Sequence, residues 1–151
     1  MKIDTNSLNL RDLTKDSFYA VCLLSVKPEQ VNHVDSNAIS IAEASFSESA
    51  WFKGIYLNDI AIGFVMVDAK PNKNKYYLWR FMIDAKYQGF GLGKRSIELL
   101  LIELKNQFGA SQLTTSIVSS ENSPLGFYES LGFRLSGSLI DGRERELILS
   151  F

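Results

Sequence analysis

The chain has 151 residues, 46% hydrophobic and 22% charged, an ordinary globular composition with enough apolar surface for a buried core. Sixteen Lys and Arg against 17 Asp and Glu leave a formal net charge of −1, which gives no electrostatic case for nucleic acid as the main partner. One cysteine, Cys22, and one histidine, His33, exclude an internal disulfide and a Cys/His zinc site, so no metal is expected.

The opening "MKIDTNSLNL" has no apolar leader core, and no apolar run reaches membrane-spanning length, so a soluble cytoplasmic protein is expected. "NSLNLRDL" alternates weakly and reads as a first strand. "TKDSFYAVCLLSV" predicts a helix with Phe18, Val21, Cys22 and Val26 on one face and Thr14 as its cap; on that stripe Cys22 reads as core rather than nucleophile. "SNAISIAEASF" is a second, shorter helix. The period then changes: "WFKGIYLN" and "IAIGFVMVDA" are strands joined at Asn58-Asp59, and "KPNKNK" is a polar loop before the strand "YYLWRFMID". "LGKRSIELLLIELKNQF" predicts a helix bringing Leu92, Ser96, Leu99, Leu100, Glu103 and Leu104 together, ended by Gly109. "SQLTTSIVS" is a strand, "NSPLGFYESL" a short helix with Pro124 in its first turn, and "GFRLSGSLI", Asp141-Gly142 and "RERELILSF" a closing hairpin. The order β-α-α-β-β-β-α-β-α-β-β predicts an α/β fold with a mixed sheet covered on both sides. Without a repeat or a break in composition, residues 1–151 read as one domain.

Between the third strand of that run and its helix stands "QGFGLGKRS", with glycines at 89, 91 and 93. A P-loop needs four residues between its glycines and then Lys-Ser/Thr; here three separate Gly89 from Gly93, and Arg95 follows Lys94. The dinucleotide fingerprint needs its third glycine where Lys94 stands. What remains is Q-x-x-G-x-G, formed by Gln88, Gly91 and Gly93, leaving a strand and opening a helix. A helix start offers unpaired N–H groups and a positive dipole end, and bare glycines let a pyrophosphate approach them. A tight turn with no ligand is the other reading of the same residues.

This segment resembles motif A of the GNAT superfamily of N-acetyltransferases, whose Q/R-x-x-G-x-G/A loop cradles the pyrophosphate of acetyl-CoA. "NSPLGFYESLGF" resembles the same family's motif B, and the order of elements agrees along essentially the whole chain. The resemblance implies a mixed, mostly antiparallel sheet of about seven strands flanked by about four helices. It implies acetyl-CoA as cosubstrate and a small amine as acceptor, with a homodimer through sheet edges or terminal strands within the family's habit. By that resemblance the backbone of Phe81, Met82 and Ile83 pairs with the pantetheine amides. Gln88 and the amides of Gly89, Phe90, Gly91, Leu92, Gly93 and Lys94 hold the pyrophosphate. Asn122 contacts the coenzyme or caps the second motif's helix, although the family more often has asparagine where Glu121 stands. Tyr128 donates a proton to the leaving thiolate.

The attacking amine must first lose a proton, commonly to a carboxylate directly or through water. Asp84 reads as a turn-fixing acid, Glu43 on the second helix as the better candidate base, and His33 as a further one. Within the family, "YYLWRFMIDAKYQGFGLGK", "SNAISIAEASF" and "IAIGFVMVD" look closest to the small bacterial diamine and spermidine acetyltransferases. A polyamine pocket needs carboxylates and aromatic faces; Glu29, Asp35, Glu43 and Glu48, with Trp51 and Trp79, are candidates or simply surface. The alternatives are an acetyltransferase for a protein, peptide or antibiotic amine, and a non-catalytic acyl-CoA-binding module.

Overall fold

The fold is set by one strand that is apolar on both faces. "IAIGFVMVDA" forms β3 (Ile60–Lys70), in which residues 62–67 are all buried, so both sides of the sheet must be covered. The computed structural model describes residues 2–151, apart from the side chain of His33, which therefore lies outside the described groups. Before β3 come β1 (Leu8–Arg11), α1 (Phe18–Cys22), α2 (Asn37–Ala44) and β2 (Ala50–Leu57). After it come β4 (Lys75–Ile83), α3 (Leu92–Phe108), β5 (Gln112–Ile117), α4 (Leu125–Ser130), β6 (Arg134–Ile140) and β7 (Glu144–Ser150). The element order is the expected one, and the seven strands line up as β1-β2-β3-β4-β5-β7-β6, antiparallel throughout except for β4 beside β5.

Two apolar clusters share the sheet. In one, Val21 of α1 and Ala44 of α2 pack with Tyr56, Phe64, Met66 and Met82. In the other, Leu92, Ile97, Leu100 and Leu104 of α3 join Val65, Val67, Leu78, Leu113 and Leu147, with Tyr128 and Phe133 at its end. The buried stripe of α3 includes Ile97 beside the predicted Leu92, Ser96, Leu100 and Leu104, while Leu99 and Glu103 lie at its margin. The Ser96 hydroxyl is satisfied within that core by the Leu92 carbonyl at 2.6 Å.

The first helix is shorter than its apolar stripe predicts. Ser17, not Thr14, takes its cap position, and Val26 lies beyond its end. The Ser25 N–H, which a longer helix would need, is captured by Asp84 Oδ1 at 2.9 Å, and Pro28 then holds Lys27 extended at ψ 150° so that the helix does not resume. Asp84 also accepts from the Lys86 N–H and caps the turn 85–87, the turn-fixing part read for it from sequence.

The feature that opens the site is in β4. It pairs with β3 along its whole length, but Trp79 is an extra residue in that ladder, because Met66 faces Arg80 while Val67 faces Leu78. A bulge bends and twists its strand. Against β5, β4 keeps one parallel bridge, Tyr77 to Thr114, reinforced by the Thr115 hydroxyl donating to the Leu78 carbonyl at 3.1 Å. Beyond it the two strands separate. On the other side of β4, Gly63 lets β3 lie close, since a Cβ there would sit 2.5 Å from the Met82 carbonyl oxygen. Gly63→Ala is expected to cost about 1–3 kcal/mol by forcing β4 outward, read as a lower denaturation midpoint with unchanged slope.

Candidate active site

Where β4 and β5 part, a cavity of about 1080 Å³ opens. Its walls are β4, the loop leading into α3, the end of β5, α4 with the residues before it, and the segment 26–35. Phe81, Met82 and Ile83 line it from the strand. Gln88, Gly89, Gly91, Leu92, Gly93 and Lys94 line it from the loop, and Asn122 and Tyr128 from the far side. Among the described residues, the structure thus gathers nearly all of the sequence-derived set in one place.

Phe90 and Glu43 stand apart from it. Phe90 is partly exposed and does not line the cavity, although its neighbours on both sides do. Glu43 pairs with Arg80 at 3.0 Å, and the same Nη2 of Arg80 also meets Asp35 at 2.6 Å. One guanidinium therefore holds two of the four acids expected to attract a cationic acceptor. Glu29 and Glu48 are exposed. Trp51 is bonded to Gln107 and has Lys53 over its ring, so of the two tryptophans only Trp79 reaches the cavity.

The three glycines have different reasons to be glycine. Gly89 and Gly91 adopt φ of +86° and +78°, and an added Cβ at either would meet nothing within 4 Å. Their backbone is bare toward open space. Gly93 instead lies under aromatic rings: its Cβ would be 3.3 Å from Phe127 and 3.8 Å from Phe81. Those two rings are stacked at 6.0 Å and 9°. Gly91 caps α3, whose first turn has no side-chain cap and no acidic residue, leaving its N–H groups facing the loop. The Gln88 side-chain amide donates to the Ile83 carbonyl and to Gln30 Oε1, both at 2.8 Å, so both its protons brace the loop against strand and neighbour. Asn122 is exposed and does not cap α4; Pro124 holds the cap position, and the Ser123 hydroxyl accepts from the Leu125 N–H.

Tyr128 is buried among Phe127 and Phe133, each ring edge-on at 5.3 Å. Burial pushes its phenol well above the ordinary range, and the nearby Thr115 hydroxyl offsets only part of that. A phenol so placed keeps its proton at neutral pH. Tyr77, on the wall facing it, is also raised by burial, and its hydroxyl meets Ser116 Oγ, which in turn bonds Glu144 Oε1 at 3.2 Å.

Tyr77, Arg80, Thr115, Ser116 and Glu144 are cavity residues that sequence reasoning missed. Arg80 carried a legible signal, a lone charge inside an apolar strand, and its Nε is buried without a partner. The others carried none, since Ser116 and Glu144 come from strands far apart in sequence.

A family model described as the Acetyltransferase (GNAT) family matches residues 9–133. The sequence is 29% identical to a spermine/spermidine N(1)-acetyltransferase of Bacillus subtilis, over 94% of this chain and 97% of that relative. Among solved structures, PaiA N-acetyltransferase of Thermoplasma acidophilum, in complex with coenzyme A, superposes with a TM-score of 0.70 at 17% identity, covering 96% of this chain and 99% of that one. The acetyltransferase of Salmonella typhimurium that modifies the N-terminal serine of ribosomal protein L7/L12 superposes at 0.76 with 15% identity, covering 99% and 98%.

Burial of Tyr128 has a thermodynamic signature. Its folded pKa lies above the unfolded value of 10.0, so the unfolded chain sheds this proton first and stability falls as pH rises past 10. In denaturant melts at pH 9 and 11, Tyr128→Phe is expected to lose less stability between the two than the parent does.

Proposed function

Because the chain belongs to the acetyltransferase (GNAT) family and is an acetyl-CoA-dependent N-acetyltransferase, we propose that its acceptor is a primary amine of a polyamine such as spermidine, or of a diamine, with Tyr128 as general acid. The observation that carries the mechanism is a protonated phenol buried at the wall of the cavity where β4 leaves β5. The acceptor class is supported by the name of the Bacillus subtilis relative and by the carboxylates Asp35 and Glu144 on the cavity wall.

The residues present fit the coenzyme. Open space beside Gly89 and Gly91, uncapped amides at the start of α3 and the Lys94 side chain suit a pyrophosphate. The edge of β4 that β5 has left suits an extended chain bearing amides, with Phe81 and Met82 as its first contacts because the Ile83 carbonyl already accepts from Gln88. Gln88 contributes by bracing the loop. The coenzyme supplies an activated acyl group and a thiolate leaving group. Tyr128 gives its proton where the thiolate forms, and the aromatic residues around it keep water away.

Thiol release from acetyl-CoA tests the acceptor. Spermidine, spermine and putrescine are expected to exceed amino acids, peptides and aminoglycosides in kcat/KM. A peptide in first place would move the acceptor to protein, and no release with any amine would leave a coenzyme-binding module. Tyr128→Phe is expected to lower turnover about 10²-fold or more with coenzyme affinity held; unchanged turnover would remove the acid from Tyr128. Gly91→Val and Gly109→Val both place a branched residue at positive φ, at opposite ends of α3. Both are expected to lose comparable stability, and only Gly91→Val to lose acetyl-CoA affinity in a direct titration.

A further inference from the structure

A second cavity, of about 420 Å³, lies against the first. Tyr77, Trp79, Arg80 and Glu144 line both, so these four side chains form the partition between them. One hydrogen-bonded chain built from three strands crosses that partition. Ser116 Oγ on β5 donates to Glu144 Oε1 on β7 at 3.2 Å. A serine hydroxyl has a single proton, so its contact with the Tyr77 hydroxyl on β4 must have Tyr77 as the donor. The chain therefore has a direction, from phenol through hydroxyl to carboxylate.

The carboxylates nearby differ in what already holds them. Asp35 and Glu43 are paired with Arg80. Asp84 accepts from two backbone amides. Asp68 is bonded to Ser49 and Lys70. Among the described residues Glu144 makes no ion pair, and its partner is the neutral Ser116 hydroxyl. The charged and titratable groups facing it are Tyr77 and Arg80 from β4, Asp68 from β3, and Asp141 and Arg143 from the turn before β7. Arg80 is the cation among them on β4, and it is shared by two other acids. The Glu144 carboxylate is thus left without a charged partner, and it is partly exposed.

We propose that the Tyr77–Ser116–Glu144 chain is the route by which the acceptor amine loses its proton, with Tyr77 meeting the reacting amine on the side of the larger cavity, which Tyr128 also lines, and Glu144 receiving the proton at the far end. The proposal rests on the acetyl-transfer reading above. One N–H bond of the ammonium breaks, its proton passes to the Tyr77 oxygen, the Tyr77 proton to Ser116, and the Ser116 proton to Glu144. The freed nitrogen lone pair forms the C–N bond to the acetyl carbon, the C–S bond breaks, and the sulfur takes the Tyr128 proton. A second proton, shed as the nitrogen becomes an amide, restores the Tyr128 phenol. One proton leaves through Glu144 to solvent, and the books of charge and mass close. The smaller cavity suits the far, unreacting ammonium of a polyamine, because Asp68, Asp141 and Glu144 line it together with the Trp79 ring, which favours a cation.

The test is the pH dependence of kcat/KM for spermidine, from pH 6 to 10, in the parent, Glu144→Gln, Glu144→Asp and Ser116→Ala. Glu144→Gln is expected to lose about 10²-fold near pH 7, with the deficit closing as pH approaches the amine's own pKa of roughly 10, where free amine needs no base. Ser116→Ala is expected to show the same shape, and Glu144→Asp to recover part of the loss. A deficit that is constant across pH, or no deficit, overturns the proposal. A second measurement does not depend on turnover: tyrosinate absorbance titrations, with Tyr77→Phe identifying the Tyr77 contribution. Removing the Glu144 charge is expected to lower the Tyr77 midpoint, and an unmoved midpoint overturns the chain. If the parent releases no thiol with any amine, the acetyl-transfer reading falls and takes the relay with it. If the parent turns over and Glu144→Gln tracks it at every pH, the relay alone falls.

Discussion

Beyond the bridge between Tyr77 and Thr114, β4 and β5 share no ladder, and a strand edge is left open in the middle of a sheet. Backbone donors and acceptors in such a place need partners, because leaving them buried and unpaired is costly. The edge is kept open by two local devices. The extra residue at Trp79 bends β4 away, while six consecutive pairings with β7 hold β5 on its own course. An extended ligand rich in amides, as proposed above, would complete the sheet that the protein leaves unfinished. The loop that begins α3, the phenol of α4 and the partition carrying Glu144 are all placed by where that gap opens.

Charge around the gap is divided by function. Toward segment 26–35 and α2, Arg80 is surrounded by Asp35 and Glu43, so one positive charge faces two negative ones and the cluster keeps a negative balance. Toward the β6–β7 turn, Glu144 is linked to the Ser116 hydroxyl. Asp35 and Glu43 thus already have a charged partner. Among the described residues Glu144 has none, and its one hydrogen-bond partner is a hydroxyl that itself accepts from Tyr77.

The order of elements was legible because the change from helical to alternating periodicity is local, and the glycine loop because its spacing lies within nine residues. The length of α1 was not legible. Its apolar face continues to Val26, but the terminating partner of Ser25 is Asp84, on the other side of the chain's first large turn. Gly93 illustrates a subtler limit. Its place in the motif was visible, yet the reason for its missing side chain is Phe127, which sequence alone could not place above it. Glu43 drew attention as an acid on the right helix, and only the fold shows its carboxylate on Arg80. The Tyr77–Ser116–Glu144 chain joins residues from three strands, and no local pattern could have reported it.

The stack of Phe127 on Gly93 and Phe81 has a mechanical consequence. Phe127 is the residue next to Tyr128, so the short helix bearing the phenol rests directly on the first turn of α3 and cannot shift without it. Immobilising the loop steadies the phenol. Under the mechanism proposed above, grip on a distant phosphate would be converted into alignment at the reacting sulfur, which is how remote contacts lower a barrier they never touch.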